Sequence, residues 1–251
     1  MNRRQALRGL ASLAFCPLCA ATSLAAGAHW SYEGETGPDK WSSLDPTAAV
    51  CSTGGQQSPI DITDPISAHQ PPLKIDWTNG AQKIINNGHS IELNFAEGDT
   101  LKLGGHTYAL KQFHFHHPSE HLVDGKRFAM EAHFVHEASR GLAVVGVLMV
   151  AGKPNAAFKK VVATMPPEEG LTVPADPAID PRRLLPAQLA YFRYEGSLTT
   201  PPCSETVNWI VLAHPVEVDG ADIARFWVAA AGIYARLPKV HIITPTVRFD
   251  G

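Results

Sequence analysis

Histidines occupy alternate positions in two segments whose composition predicts β-strands. His114 and His116 alternate with two phenylalanines, so an extended backbone places the imidazoles on one face and the phenyl rings on the other. His133 lies in the second segment, after a turn-like stretch at 123–126. An antiparallel return brings His133 beside the first pair. The two segments therefore predict three imidazoles gathered on one wall.

Three protein nitrogens are typical of a catalytic zinc site, which keeps a fourth position open, whereas structural zinc sites fill all four positions and use cysteine. Gln112 and Glu131 share the face of the histidines and can accept the second ring proton of His114 and of His133. We therefore predict Zn²⁺ bound by His114, His116 and His133. The alternative is polar surface or satisfied buried histidine, and this ordinary interpretation is kept for the remaining candidates, His117, His121 and His136.

Motifs along the whole chain make the sequence resemble the α-class carbonic anhydrases of exported bacterial type. The resemblance runs from His29 to Phe249 and is more specific than the histidines alone. The landmarks are Gln57 to Asp61, Asn86 to His89, Gln112 to Glu120, Glu131 to His133, Gly141 to Val144, Ser197 to Pro202, and Trp209.

The resemblance implies reversible hydration of carbon dioxide to bicarbonate by zinc-bound hydroxide, with a second activity on activated esters. It also implies a gatekeeping pair, Thr199 and Glu120. A Thr199 hydroxyl that donates to Glu120 must accept from the attacking hydroxide, and this aims the hydroxide lone pair at the substrate. His89 matches the proton shuttle, because an exposed imidazole titrates near neutral pH.

Further positions match the water chain and the substrate pocket of the family. The water chain is implied at Tyr32, Asn87 and Thr200, and the pocket at Val135, Val144, Leu198, Val207 and Trp209, together with Thr200. The apolar positions are also compatible with plain core packing. Glu92 departs from the family, where many members carry a neutral amide, and this puts the efficiency of the shuttle in question.

Two other classes of function compete with the enzyme. A non-catalytic binding protein of the same fold requires the loss of a ligand, whereas the three histidines, Glu120 and Thr199 are all present. A zinc storage protein requires several open histidine clusters, whereas the sequence has one such site, with Gln112 and Glu131 as hydrogen-bond acceptors beside the histidines. The net charge of −3 offers no basic patch for nucleic acid or an anionic membrane. The expected partner is therefore a small molecule, and bacterial members of the family imply a homodimer.

The N-terminal residues predict export. Residues 1–28 combine arginines at the start, an apolar stretch interrupted by Pro17, and small residues before His29, which is typical of a secretory signal peptide. The stretch is short for a bilayer span, so we expect no membrane insertion after processing. Arg3 and Arg4 resemble a twin-arginine signal, and lipidation at Cys16 or Cys19 is the less favoured alternative. A catalytic domain then spans residues 29–251 in the periplasm or outside the cell.

Only two cysteines follow the predicted signal peptide, Cys51 and Cys203. In an oxidising compartment their pairing is favoured over two separate buried thiols. Such a disulfide ties the N-terminal segment to the loop that contains Thr199. The family resemblance also suggests a cis peptide between Pro201 and Pro202, which proline permits at low cost.

Composition and periodicity predict a single, mainly β domain with α+β character. The chain has 251 residues, 45% of them apolar, with 20 glycines and 20 prolines, as in a loop-rich β protein. Strands are predicted at 91–95, 107–116, 128–136, 142–150, 189–194 and 206–213, and helices at 155–164 and 219–234. The resemblance implies a large twisted, mostly antiparallel central sheet, short peripheral helices and a conical zinc cleft.

Overall fold

The computed structural model describes residues 29–230 and 247–250, so the predicted signal peptide lies outside the described residues. The strands in these ranges are β1 Asp61–Ile62, β2 Ile66–Ser67, β3 Lys74–Asp76, β4 Lys83–Asn86, β5 Ile91–Asn94, β6 Thr100–Leu103, β7 His106–His116, β8 Leu122–Val123, β9 Lys126–Arg127, β10 Met130–Ala138, β11 Gly141–Ala151, β12 Thr172–Pro174, β13 Tyr191–Gly196, β14 Val207–Val218 and β15 Arg248–Asp250. The helices are α1 Trp41–Leu44, α2 Val50–Thr53, α3 Ala156–Thr164 and α4 Gly220–Ala229, with 3-10 turns at Gly34–Thr36, Pro46–Ala48 and Pro181–Leu184. None of the helices described is long and apolar enough to cross a bilayer.

A 12-stranded sheet organises the described residues. Its main path runs β12-β4-β5-β7-β10-β11-β14-β13-β15-β2, and β6 joins β7 to β3. Strand β7 is long enough to pair with β6 through its first half and with β5 through its second half. Most pairs are antiparallel, but β11 pairs with β14 and β15 with β2 in parallel. The predicted mainly β fold with a mostly antiparallel central sheet is confirmed, and a smaller sheet combines β1, β8 and β9.

The sheet separates an apolar layer from the histidine wall. Phe113, Phe115 and Phe134 are fully buried on one face, where Phe115 contacts rings from both α3 and α4. Burial of such rings contributes about 2 kcal/mol each and makes this layer the main core. Helix α3 begins at a capping Asn155, whose side chain accepts from two backbone N–H groups of the first turn. The strands that hold the histidines therefore rest on a rigid apolar support.

The end of one long strand, β14, differs from the prediction in an informative way. The last predicted strand ends at Ala213, whereas β14 continues to Val218. Proline in a central strand cannot donate to the ladder, so Pro215 interrupts the regular pairing of β14. The structure accommodates Pro215 through a register shift in the pairing with β11, after which Val216 pairs with Met149. Helix α4 ends at Ala229, and the predicted extension to residue 234 lies outside the described residues.

Candidate metal centre

Three imidazoles converge at the centre of the sheet. The predicted antiparallel return is present, because His133 on β10 pairs directly with His114 on β7. His116 follows on the same face of β7, and its ring centroid lies 4.4 Å from that of His133. One nitrogen from each of the three rings lies within 4.8 Å of the others, a set that can hold a metal ion. Two adjacent strands thus create a pocket of nitrogen donors.

Polar neighbours fix which ring nitrogen faces the pocket. His114 Nδ1 lies 2.8 Å from Gln112 Oε1, and His133 Nε2 lies 3.0 Å from Glu131 Oε1. Each contact occupies the outer nitrogen of its ring and leaves the other nitrogen for a ligand bond. Supporting acceptors of this kind are usual around metal-binding histidines, because they set the tautomer and the ring orientation. The donor set therefore fits a three-histidine zinc site.

Glu131 connects the histidine wall to another buried histidine, His121. Its Oε2 accepts the backbone N–H groups of Glu120 and His121 at 3.0 and 2.9 Å. His121 Nδ1 lies 2.8 Å from Oε1 of Glu131, and His121 Nε2 lies 2.6 Å from the Tyr194 hydroxyl. Although His121, Glu131 and His133 also form a potential metal-binding group, these short mutual contacts explain their proximity. His121, Glu131 and Tyr194 form a chain that holds His133.

Burial keeps the metal-facing histidines neutral. Desolvation, followed by repulsion from His133, lowers the pKa of His114 to about 3. The same causes lower the pKa of His116 far below its ordinary value, and burial also lowers that of His133. Neutral imidazole offers a lone pair to a metal ion, whereas imidazolium does not. At neutral pH the three rings are therefore in the form that a metal requires.

The two buried glutamates beside the site differ in charge. Burial raises the pKa of Glu131, but electrostatic attraction to His121 and His133 and hydrogen bonds with them outweigh burial and hold that pKa well below its usual range. Burial and the nearby Glu131 charge raise the pKa of Glu120 well above normal, and the Thr199 hydroxyl opposes this. A divalent cation at the three imidazoles also opposes it, because opposite charge favours the ionised carboxyl.

A cavity of about 210 Å³ opens above the histidines. One wall is apolar and contains four predicted pocket residues, Val135, Val144, Leu198 and Trp209. The polar wall consists of the predicted proton-transfer residues Tyr32, Asn87, His89 and Thr200, together with Ser90, Glu92 and Gln112. Val207, predicted with the apolar wall, is not among the lining residues and is buried in the hydrophobic cluster behind Trp209. The cleft thus joins a small apolar surface to a polar exit.

Comparison with known proteins agrees with this geometry. The sequence profile described as eukaryotic-type carbonic anhydrase matches residues 36–233. The chain belongs to this family. The carbonic anhydrase of Pectobacterium carotovorum is 41% identical over 226 residues, which cover 88% of this chain and 91% of that protein. The protein is therefore an enzyme, and the reaction of its family is the hydration of carbon dioxide.

Solved structures of this family share the fold over 88% of the chain. The α-carbonic anhydrase of Thermovibrio ammonificans, solved in complex with the inhibitor sulfanilamide, has a TM-score of 0.85 at 40% identity and is covered over 99% of its length. Dioscorin in complex with ascorbate has a TM-score of 0.79 at 28% identity, with 97% of that chain covered. Because these two structures of one fold hold different ligands, the fold alone does not define the function, which depends on the site residues.

The shuttle candidate, His89, lines the cleft and is held there by a turn and by an aromatic ring. Asn87 Oδ1 accepts the backbone N–H groups of His89 and Ser90 at 3.0 and 2.7 Å, which fixes the turn after β4. Trp30 stacks on the His89 ring with centroids 3.7 Å apart and planes 13° apart. Partial burial and repulsion from His29 lower the pKa of His89, and Glu169 opposes the shift. His89 is therefore a half-buried imidazole between the cleft and the surface.

Two contacts around the site were not predicted from the sequence. These are the stacking of Trp30 on His89 and the chain from His121 to Tyr194. The alternation of side chains along β10 predicted that Glu131 lies on the face of the histidines. It could not predict the partners of Glu131 in distant segments. The sequence signal for the first contact was an aromatic residue, Trp30, two positions before Tyr32.

The predicted disulfide between Cys51 and Cys203 is confirmed. It joins α2 to the loop that follows Thr199, where the Cys203 N–H donates to the Thr200 carbonyl at 2.9 Å. Gln57 Nε2 donates to the Cys203 carbonyl at 3.1 Å and gives the loop a second support. The predicted cis peptide between Pro201 and Pro202 is also present. The loop at Thr199 is therefore fixed from the outside of the cleft.

Removal of the disulfide should destabilise the fold. We expect the double substitution Cys51→Ser, Cys203→Ser to lower the free energy of unfolding by about 2–4 kcal/mol, because the bridge closes a long loop in the unfolded chain. The two cysteines are 152 positions apart, which makes the closed loop long and favours a loss of stability near the upper end of this range. Urea denaturation measures the change, and reduction of the wild type should reproduce it. Equal stability of the oxidised wild type and the double variant would contradict the prediction.

Proposed function

We propose that this enzyme hydrates carbon dioxide reversibly with a zinc ion held by His114, His116 and His133. The observation that carries the proposal is the convergence of three neutral imidazoles whose ligand atoms lie within 4.8 Å of one another. A bound zinc ion lowers the pKa of its water so that hydroxide is available near neutral pH, and carbonic anhydrases are the standard example of this effect. The ligands are nitrogen only, which favours zinc over harder cations that prefer oxygen.

Thr199 and Glu120 orient the attacking oxygen in this proposal. Glu120 is fully buried near His116, with Oε1 3.3 Å from the Nδ1 of that ring. In its ionised form it can only accept hydrogen bonds, so a Thr199 hydroxyl that donates to Glu120 can only accept at the cleft. The lone pair of the oxygen that donates to Thr199 then points toward the apolar wall. Carbon dioxide, which is neutral and apolar, fits that wall at Val135, Val144, Leu198 and Trp209.

The proton leaves through the polar wall. Tyr32, Asn87 and Thr200 line the path between the histidines and His89, and their hydroxyl and amide groups can hold a chain of water. His89 lies at the mouth, where it can accept a proton from this chain and pass it to buffer. The same cleft leaves room for hydrolysis of activated esters as a second activity, which p-nitrophenyl acetate would test.

Metal dependence of the hydration rate tests the central proposal. We expect stopped-flow assays of the chain from His29 onward to show fast turnover, loss of that turnover on chelation, and recovery with added zinc. A folded, zinc-loaded protein without hydration activity would contradict the proposal and favour a binding protein of the same fold. A chelated protein that keeps its full rate would place the chemistry elsewhere.

Loss of the shuttle should affect proton transfer alone. We expect His89→Ala to lower kcat about tenfold at low buffer concentration, while kcat/KM for carbon dioxide stays within about twofold. Added imidazole should restore kcat, because a free base replaces the missing ring. His106, which is exposed on β7 outside the cleft, gives the matched control His106→Ala with no expected change. An unchanged kcat in His89→Ala at low buffer would remove His89 from the pathway.

Export belongs to the proposal as well. We infer that residues 1–28 are a signal peptide and that residues 29–251 act in the periplasm or outside the cell. The disulfide supports this, because such bonds persist in oxidising compartments. Cell fractionation with N-terminal sequencing tests the export, and a cytoplasmic protein that retains residues 1–28 would refute it. A homodimer, which bacterial members of the family suggest, is checked by sedimentation.

A further inference from the structure

Glu92 places a carboxylate inside the cleft, next to the metal-binding histidines. Strand β5 pairs with β7 so that Glu92 lies directly opposite His114. Directly paired residues of adjacent antiparallel strands point to the same face, with Cβ atoms about 5 Å apart. Glu92 also lines the cavity together with His114, His116 and His133. Its charge is therefore close to whatever binds at the three imidazoles.

Neutral groups hold this carboxylate in place without cancelling its charge. Asn94 Nδ2 donates to Glu92 Oε1 at 2.6 Å, and Asn87 Nδ2 makes a longer contact of 3.5 Å with Oε2. No ion pair found in residues 29–230 and 247–250 includes Glu92. Among the described residues that line the cavity there is no lysine, arginine or second carboxylate. Within this lining Glu92 is thus an uncompensated negative charge.

We propose that Glu92 is a specificity-determining residue that weakens the binding of anions, bicarbonate included, at the metal centre. The inference rests on the proposed function, because the anion site is the proposed zinc ion. Repulsion between Glu92 and a bound anion opposes the attraction of the cation, and the surrounding protein strengthens it relative to bulk water. Carbon dioxide has no net charge and enters without this penalty. Glu92 therefore favours release of the charged product over its retention.

The size of the effect follows from Coulomb's law in a wet cleft. Two charges separated by roughly 8 Å at an effective dielectric constant between that of a protein surface and that of water change a dissociation constant about three- to tenfold. Salt should reduce the effect, because the Debye length at physiological ionic strength is about 8 Å. A shape or hydrogen-bonding effect has no such dependence. Ionic strength therefore distinguishes charge from geometry.

Azide binding to the enzyme with Co²⁺ in place of zinc tests the proposal by a visible spectrum rather than by turnover. We expect Glu92→Gln to bind azide about three- to tenfold more tightly than the wild type at low ionic strength. The ratio of the azide dissociation constant of the wild type to that of Glu92→Gln should approach one in concentrated sodium sulfate. The KM for bicarbonate in dehydration should fall with the azide constant, while the KM for carbon dioxide in hydration stays unchanged.

Two variants control for net charge and for local packing. Glu217→Gln changes the net charge equally but lies eight residues beyond Trp209 on β14, roughly 25 Å along the strand, so we expect no change in azide binding. Glu92→Asp keeps the charge and alters the contacts to Asn87 and Asn94, so its azide constant should stay near that of the wild type.

The outcomes separate this inference from the proposed function. Metal-dependent azide binding by the wild type that Glu92→Gln does not strengthen would overturn the role of Glu92 and leave the zinc site intact. Equal tightening in Glu92→Asp, or a ratio that salt does not reduce, would also overturn it, because charge would not be the cause. A wild type that holds no metal at the three histidines would overturn the proposed function together with this inference.

Discussion

Substitution of His116 by alanine should abolish both zinc binding and hydration activity. His116 is one of the three proposed ligands, and it is buried. His121, another buried imidazole nearby, is already held by Glu131 and Tyr194 and so cannot replace it. Loss of a supporting residue outside the ligand set already weakens metal binding about 10- to 100-fold, so loss of a ligand should exceed about 100-fold. Metal content after dialysis measures the first effect, and stopped-flow hydration measures the second.

His117 provides the matched control, because it follows His116 directly and points away from the cleft. Its Nδ1 lies 2.7 Å from the Ala129 carbonyl, and its ring contacts Trp227 on α4. We expect His117→Ala to retain one zinc per chain and a normal rate, with a modest loss of stability. Normal metal content and rate in His116→Ala would refute the assignment of the metal centre. Equal loss in both variants would indicate general damage to the end of β7.

Substitution of Thr199 by alanine should separate metal binding from catalysis. We expect zinc content to remain normal while kcat/KM falls about 10²- to 10³-fold, the usual cost of removing one preorganised hydrogen-bonding group. The reason is the proposed role of the hydroxyl, which aims the attacking oxygen, whereas the alanine methyl group would leave that oxygen free to turn. Hydration rates and metal analysis of the same preparation provide both measurements.

The conservative variant makes this prediction specific to the hydroxyl. Thr199→Ser keeps the oxygen and should recover most of the rate, although the lost methyl group allows more rotation. The disulfide at Cys203 and the contacts around it should keep the loop folded in both variants. A normal kcat/KM in Thr199→Ala would remove Thr199 from the mechanism. Equal loss in the serine variant would assign the effect to packing.

Alternation along two strands allowed the metal centre to be predicted from the sequence. The period of two residues separates His114 and His116 from the phenylalanines between them, and it places Gln112 and Glu131 beside the ligands. That inference needs only local geometry and one antiparallel pairing. The disulfide was predictable for a different reason, because only two cysteines follow the predicted signal peptide and these allow a single pairing.

Contacts between distant segments could not be predicted in this way. The Tyr194 hydroxyl reaches His121 across 73 positions of the chain, and Trp30 reaches His89 from the N-terminal segment. Periodicity describes the face of a strand but not the loop or strand that covers that face. The position of Glu92 was half-predicted, since its departure from the family was visible, whereas its pairing with His114 required the register of β5.

The parallel pairing of β11 with β14 has a consequence during synthesis, because β11 is made well before its partner strand. Strand β11 ends at Ala151 and its partner begins at Val207, so the hairpin of β10 and β11 exists before β14 has been synthesised. Until then one side of β11, with its fully buried Val145 and Val147, is an open edge that can pair with another chain. A product truncated before Val207 keeps that edge. Such a fragment should aggregate, even though it contains all three histidines.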